Sequence, residues 1–194
     1  MKSIAISGSL RENVGKRDAK ELRYEGKVPA VLYGGTKQYH FAVSAADLKS
    51  LVYTPDVHFV DLDLDGQKFK AIIQEMQFHP LNDLIRHIDF LELDDKKEVV
   101  MNIPVALTGT SPGVRSGGKL LQKLRKLRVK ALPNDIPQQI EVSLNALEVG
   151  KSVRVEEVKI DNARILNNGD DTIVSVGMSR ALRQAEQEAA KAGK

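Results

Sequence analysis

The stretch Phe59-Val60-Asp61-Leu62-Asp63-Leu64-Asp65-Gly66-Gln67-Lys68-Phe69 decides the fold class. Apolar and acidic residues alternate with a period of two, which sends one set to each face of a strand. The alternation meets Asp65-Gly66, a dipeptide suited to the tight turn between antiparallel strands, and then resumes. The segment predicts a β-hairpin with one wet face. Outward from it the same vocabulary recurs. Short apolar runs rich in β-branched residues occupy 28–33, 57–64, 69–78, 85–93, 99–107, 140–144 and 173–176, many bounded by Gly, Pro, Asn or Asp. The chain is therefore expected to be mainly β.

Helices are expected to be few. Residues 16–25 follow Gly15 and stop at Gly26, with Pro29 shortly after. At 100° per residue Lys16, Lys20, Arg23 and Lys27 fall on one stripe, a basic ridge, while Ala19 and Leu22 fall on another. A second helix is predicted over 44–51 with Ser44 as its cap. The Ala-, Glu-, Gln- and Lys-rich stretch 180–194 reads as a helix or a frayed tail.

The chain has 194 residues, is 42% hydrophobic and 28% charged, and holds no cysteine. These values exclude a wholly disordered chain, a disulfide framework, a thiolate metal site and a cysteine nucleophile. The opening MKSIAISGSL is too short and polar for a signal peptide, and no apolar run approaches the ~18 residues of a spanning helix. A cytoplasmic protein without membrane contact is expected. The net charge is +3, with an isoelectric point near 9.0. Its distribution says more than its total: the net is +4 over 1–40, −6 over 41–98, +7 over 99–134 and −2 over 135–194. Two basic blocks separated by acidic ones suit a protein that meets a phosphate backbone with part of its surface. The charged break at 94–98 divides the chain into a first domain, 1–94, a β-rich second domain, 95–178, and a tail, 179–194.

Four constellations invite a chemical reading. Gly113-Val114-Arg115-Ser116-Gly117-Gly118-Lys119 satisfies the spacing of a nucleotide-binding P-loop, but Leu120 stands where the magnesium-holding hydroxyl belongs, so a glycine-rich turn is the better reading. Residues 120–132 interleave Lys123, Arg125, Lys126, Arg128 and Lys130 with leucines, and their periodicity fits a helix or strands. By charge alone this is the strongest nucleic-acid patch of the chain, although lysine-rich strands also guard sheet edges. Among His40, His58, His79 and His87, only His79 and His87 with Asp89 come near a zinc spacing, and no metal site is expected. In Arg86-His87-Ile88-Asp89-Phe90, strand alternation turns Ile88 and Phe90 inward and leaves an imidazole beside a carboxylate outside. Such a pair serves a hydrolase as base and orienter, but no nucleophile accompanies it. It also serves to read base edges and ribose hydroxyls in the shallow minor groove of an RNA helix, with Lys16, Lys20 and Arg23 on phosphates.

These residues resemble a known family. Gly15-Lys16, Glu21-Leu22-Arg23, Gly26-Lys27-Val28-Pro29-Ala30-Val31-Leu32-Tyr33-Gly34, Gln74-Glu75-Met76-Gln77-Phe78-His79-Pro80 and Arg86-His87-Ile88-Asp89-Phe90 are similar to the bacterial large-subunit ribosomal protein twenty-five family. Asn102-Ile103-Pro104-Val105, the 113–118 turn and Asn134-Asp135-Ile136-Pro137 resemble the extra domain of its long form, the general stress protein Ctc type. The resemblance, over residues 1 to about 178, implies an N-terminal six-stranded β-barrel with short helices, akin to the anticodon-binding barrel of glutaminyl-tRNA synthetase. It implies a 5S ribosomal RNA-binding component of the large subunit, without catalysis, cofactor or metal, docking on the minor-groove side of loop E and monomeric off the ribosome. The RNA-contacting set carried over is Arg11, Lys16, Arg23, Tyr33, Gln74, Gln77, His87 and Asp89, to which the basic ridge adds Lys20. Phe78 and Asp83 depart from the more basic residues of many relatives. The family also moves the expected RNA site from 115–130 to the first domain, leaving the second basic stretch for other ribosomal RNA or protein. A basic protein-interaction module is the alternative reading.

Overall fold

The computed structural model describes residues 3–179 and Gln184, so the stretch 180–194, expected as a helix or a frayed tail, lies outside the described residues but for Gln184. The chain divides into two compact units, residues 1–101 with 132–136, and residues 102–131 with 137–194.

In the first unit six strands close a barrel: β1 (Ser3–Leu10), β2 (Lys27–Tyr33), β3 (Tyr39–Ser44), β4 (Phe59–Leu64), β5 (Gln67–Phe78) and β6 (Ile85–Glu92). Their order around the barrel is β1-β3-β2-β6-β5-β4. Two of the pairings, β1 with β4 and β2 with β6, are parallel; the others are antiparallel. The hairpin that decided the reading is β4–β5, where Asp65 and Gly66 both take positive φ at the turn. Val60, Leu62 and Leu64 point inward and are at most 1% exposed. They share the core with Ile6, Val28, Leu32, Phe41, Val43, Ile88 and Phe90, and the Phe41 and Phe90 rings stand 5.7 Å apart. Burying an aromatic side chain of this kind contributes roughly 1.5–3 kcal/mol from apolar transfer alone.

β1 and β3 escape a reading by apolar runs. β1 buries only Ile6 deeply and carries Gly8 where a Cβ would lie within 3.0 Å of Phe41 and Leu64. A small-residue strand passing a crowded barrel wall has little apolar signal to show. β3 has a short apolar stretch, Phe41 to Val43, between polar ends.

Helix α1 (Lys16–Tyr24) forms as expected and ends ahead of Gly26 at φ +77°. Lys27 is not part of its ridge as expected, because it already pairs with Ser44 as the first residue of β2. The second helix is also shorter than expected. Ser44 ends β3, residues 45–48 form turns, and α2 covers only Lys49–Val52. A residue held in a sheet ladder cannot begin a helix, although the Ser44 hydroxyl still accepts from the Ala46 N–H at 3.3 Å.

The second unit is built on two sheets. Strands β7 (Val99–Thr108), β8 (Lys119–Gln122), β9 (Lys126–Ala131), β10 (Ile140–Ser143), β11 (Ser152–Arg154), β12 (Ala163–Ile165) and β13 (Thr172–Gly177) give one sheet of order β10-β7-β9-β12 and another of order β11-β13-β8. The ambiguous stretch 120–132 thus holds two strands, the end of β8 and all of β9, parted at residues 123–125. Leu127, Val129 and Ala131 are buried with period two while Lys126 and Arg128 face out.

The glycine-rich turn opens with a four-residue helix, α3 (Pro112–Arg115), capped by Ser111. Its amides already have partners. The N–H groups of Gly113, Val114, Arg115, Ser116, Gly117 and Gly118 donate to carbonyls of Leu147, Ser111, Ser111, Pro112, Val114 and Gly113. A phosphate cradle needs those N–H groups turned outward. Gly113 is glycine for packing, since a Cβ there would lie 2.6 Å from the backbone of Glu148 and Val149.

Candidate nucleic-acid interface

The β2–β6–β5 wall of the barrel gathers the polar side chains. Val31 pairs with Asp89 and Tyr33 with Leu91 across β2 and β6, while Glu75 stands opposite Asp89 and Gln77 opposite His87 across β5 and β6. Because Ile88 and Phe90 fill the barrel interior, His87 and Asp89 face outward together, with His87 Nδ1 2.6 Å from Asp89 Oδ1. A carboxylate that accepts from Nδ1–H fixes the ring and its tautomer, leaving Nε2 as an acceptor in the neutral imidazole. Each side chain is about three-tenths exposed, enough to meet a ligand without leaving the wall.

Two irregularities in the β5–β6 ladder shape this face. Gln74 is the extra residue where the register steps between Ile73 and Glu75, and Arg86 is the extra residue where Gln77–Phe78 meets His87–Ile85. Bulges re-aim side chains locally and concentrate at working surfaces. Gln74 and Gln77 are exposed.

Helix α1 supplies the positive border. Lys16 and Lys20 are exposed, and Lys20 Nζ lies 5.7 Å from the Tyr24 ring centre. The Arg23 guanidinium donates to the Arg86 carbonyl at 3.1 Å, tying the helix to the bulge. Burial first, then the neighbouring Arg86 and Arg11, hold its pKa below the usual arginine value. Arg11 is engaged differently from the lysines. Its side chain is only 9% exposed, and its guanidinium pairs with Asp18 and donates to the Asn13 carbonyl, which fixes the first turn of α1 to the chain leaving β1. At the far side of the wall, burial, Asp89 and Glu75, in that order, push the Tyr33 phenol above its ordinary pKa, so it stays a protonated donor.

Sequence reasoning missed Arg86, Glu75, Lys49 and the two exposed tyrosines, Tyr24 and Tyr53. With Lys16, Lys20 and Arg23, most of these line a groove of about 610 Å³ between α1 and the β5–β6 connection. Six Lys and Arg side chains line that groove and, among the described residues, no acidic one does, although Lys27 also pairs with Glu25 at 3.2 Å. Only tertiary proximity reveals it, because its cations come from four elements, α1, β2, α2 and β6. Among the described residues no three His, Asp or Glu side chains are placed to hold a metal ion, and no helix is long and apolar enough to cross a membrane.

A closed barrel whose outer wall couples a base–acid pair to a basic helix, followed by a second β unit, defines a protein of the ribosomal-protein class once its relatives are considered. Residues 6–90 match the model of the Ribosomal L25p family, and residues 98–180 match that of the Ribosomal protein TL5, C-terminal domain. The chain is 47% identical to "Large ribosomal subunit protein bL25" of Cytophaga hutchinsonii over 98% of its own length and 100% of the relative's. It is 45% identical to the protein of that name from Amoebophilus asiaticus, over 100% of its length and 99% of the relative's. The relative in Phocaeicola vulgatus is 44% identical with both chains fully covered. The chain belongs to the L25p family in its long, two-domain form. That family is structural rather than catalytic, and the nucleotide-hydrolase and hydrolase readings of the sequence are set aside with it.

Proposed function

We propose that this chain is a structural component of the bacterial large ribosomal subunit, cytoplasmic and ribosome-associated, that binds 5S ribosomal RNA through its N-terminal domain, residues 1–94. The observation that carries the reading is the His87–Asp89 pair at 2.6 Å on an outward barrel wall bordered by α1. In the minor groove of an RNA helix, bases and ribose present amino and hydroxyl groups within reach of short side chains. His87 Nε2 and the remaining lone pairs of Asp89 accept from such donors, while Tyr33, Gln74 and Gln77 supply both donors and acceptors. Lys16 and Lys20 face the phosphates, and Arg23 adds charge where it is already oriented by Arg86. Arg11 belongs to the set through its hold on α1. Reading and positioning are thereby divided between sheet and helix.

Filter binding of the full chain to 5S ribosomal RNA and to a scrambled RNA of equal length tests the proposal. Selective retention of the 5S species is expected. Equal binding of both, over a range of salt, overturns it.

A further inference from the structure

We infer that the outer face of β9 and β12 in the second unit is a separate cationic surface that docks on the phosphate backbone of RNA. Strand β9 buries Leu127, Val129 and Ala131 and turns Lys126, Arg128 and Lys130 outward. Antiparallel pairing sets Arg164 of β12 directly opposite Lys130, and the Leu166 N–H donates to the Arg128 carbonyl at 2.8 Å, so Arg164 stands diagonal to Arg128. Lys126, Arg128 and Arg164 are exposed, and among the described residues none of the three makes an ion pair.

Edge protection does not account for them. Lysines that prevent sheets from joining belong on edge strands. In the order β10-β7-β9-β12, strand β9 is an interior strand with both ladders occupied, and only Arg164 sits at an edge. Nor are Lys126, Arg128 and Arg164 there to pair within the sheet. β7 carries no charged residue and β12 no acid, and the outward carboxylate of this sheet, Glu141, lies on β10 beyond β7. Like charges that adjoin across a strand pair disfavour the fold. Lys126 and Arg128, about 7 Å apart along the strand, with Arg164 diagonal to Arg128, are relieved by a polyanion whose charges recur at a comparable scale. A folded acidic protein would need carboxylates in matching register, whereas any RNA helix offers a continuous phosphate row.

The test uses the full chain, a mixed-sequence RNA duplex of about 20 base pairs without 5S sequence, and fluorescence anisotropy across a salt series. The triple variant Lys126→Gln, Arg128→Gln, Arg164→Gln should flatten the plot of log affinity against log salt by about 2 to 3, if the duplex-DNA coefficient of ~0.9 per phosphate transfers. The charge-conserving variant Arg128→Lys, Arg164→Lys should keep the parent slope, which separates loss of charge from loss of fold. An unchanged slope and affinity in the neutralised variant overturns the inference. So does an undiminished duplex affinity accompanied by lost binding to polyglutamate, which would mark a protein surface. Selectivity for 5S over scrambled RNA, measured on the same variants, reports on the barrel alone, so the two readings fail independently.

Discussion

Two outward sheet faces of this protein carry charge in opposite styles. The barrel wall of β2, β6 and β5 mixes signs: His87 with Asp89, Glu75 alongside, Tyr33 and two glutamines, with the cations held at the border on α1. The β9–β12 face of the second unit presents Lys126, Arg128 and Arg164, none of which makes an ion pair among the described residues. A surface that discriminates among bases needs acceptors as well as donors, because base edges and ribose hydroxyls present both. A surface that only grips a backbone needs positive charge and tolerates any sequence. Counting charge along the chain finds the second kind of surface and overlooks the first.

The largest expected effect separates the two units as folding objects. Phe90→Ala removes an aromatic group that is completely buried in the barrel and touches Phe41, and should cost roughly 3–5 kcal/mol. Calorimetry should show a lower melting temperature and 5S binding should be lost above it. A melting temperature equal to the parent's would mean that the barrel core is not organised around this pair.

The mirror experiment is Gly113→Ala in the second unit. The added methyl meets backbone at 2.6 Å and should destabilise by about 1–3 kcal/mol. Discrimination of 5S from scrambled RNA should persist at temperatures where the variant's barrel remains folded. Loss of that discrimination in a folded variant would break the division of labour between the units.

Within the barrel wall, readers and positioners should fail differently. His87→Ala or Asp89→Ala should each lower 5S affinity by roughly 1–3 kcal/mol with little change of salt slope, because a buried partner on the RNA is left unpaired. Their losses should be less than additive, since one side chain orients the other. Lys16→Gln or Lys20→Gln should instead flatten the slope by up to ~0.9 each. Folded variants at 87 and 89 with parent affinity would remove the reading role from this pair.

The smallest effect concerns Tyr33. Burial and the nearby carboxylates of Asp89 and Glu75 raise its pKa in the folded state above the unfolded value near 10. The unfolded chain therefore ionises first. Stability linked to the neutral phenol is complete below about pH 10 and is lost as pH climbs through the raised folded value. Melting temperatures followed from about pH 9 upward should fall less steeply in Tyr33→Phe than in the parent. Parallel declines would show that Tyr33 does not feel those carboxylates.

Much of this molecule was legible in the chain itself. Alternation at 59–64 with Asp65-Gly66, and again at 86–90, depends on a period of two that any strand must obey, so the hairpin and the outward His87–Asp89 pair followed from local pattern. Gly26 ended α1 for an equally local reason, the positive φ that suits glycine. Strands β1 and β3 left weaker traces because their buried apolar stretches are short, Ile6 alone in β1 and Phe41 to Val43 in β3. The helix expected from Ser44 was overruled by a ladder partner, Lys27, seventeen positions away in the sequence. Residues 120–132 could not declare themselves helix or strand until β7 and β12 flanked β9. The groove beside α1 and the engagement of Arg11 with Asp18 were likewise decided by packing. Sequence determines what each segment prefers within a few residues. Which segments become neighbours, and so which charges pair and which stay open to a ligand, is set by contacts between distant positions, and those exist only once the chain has folded.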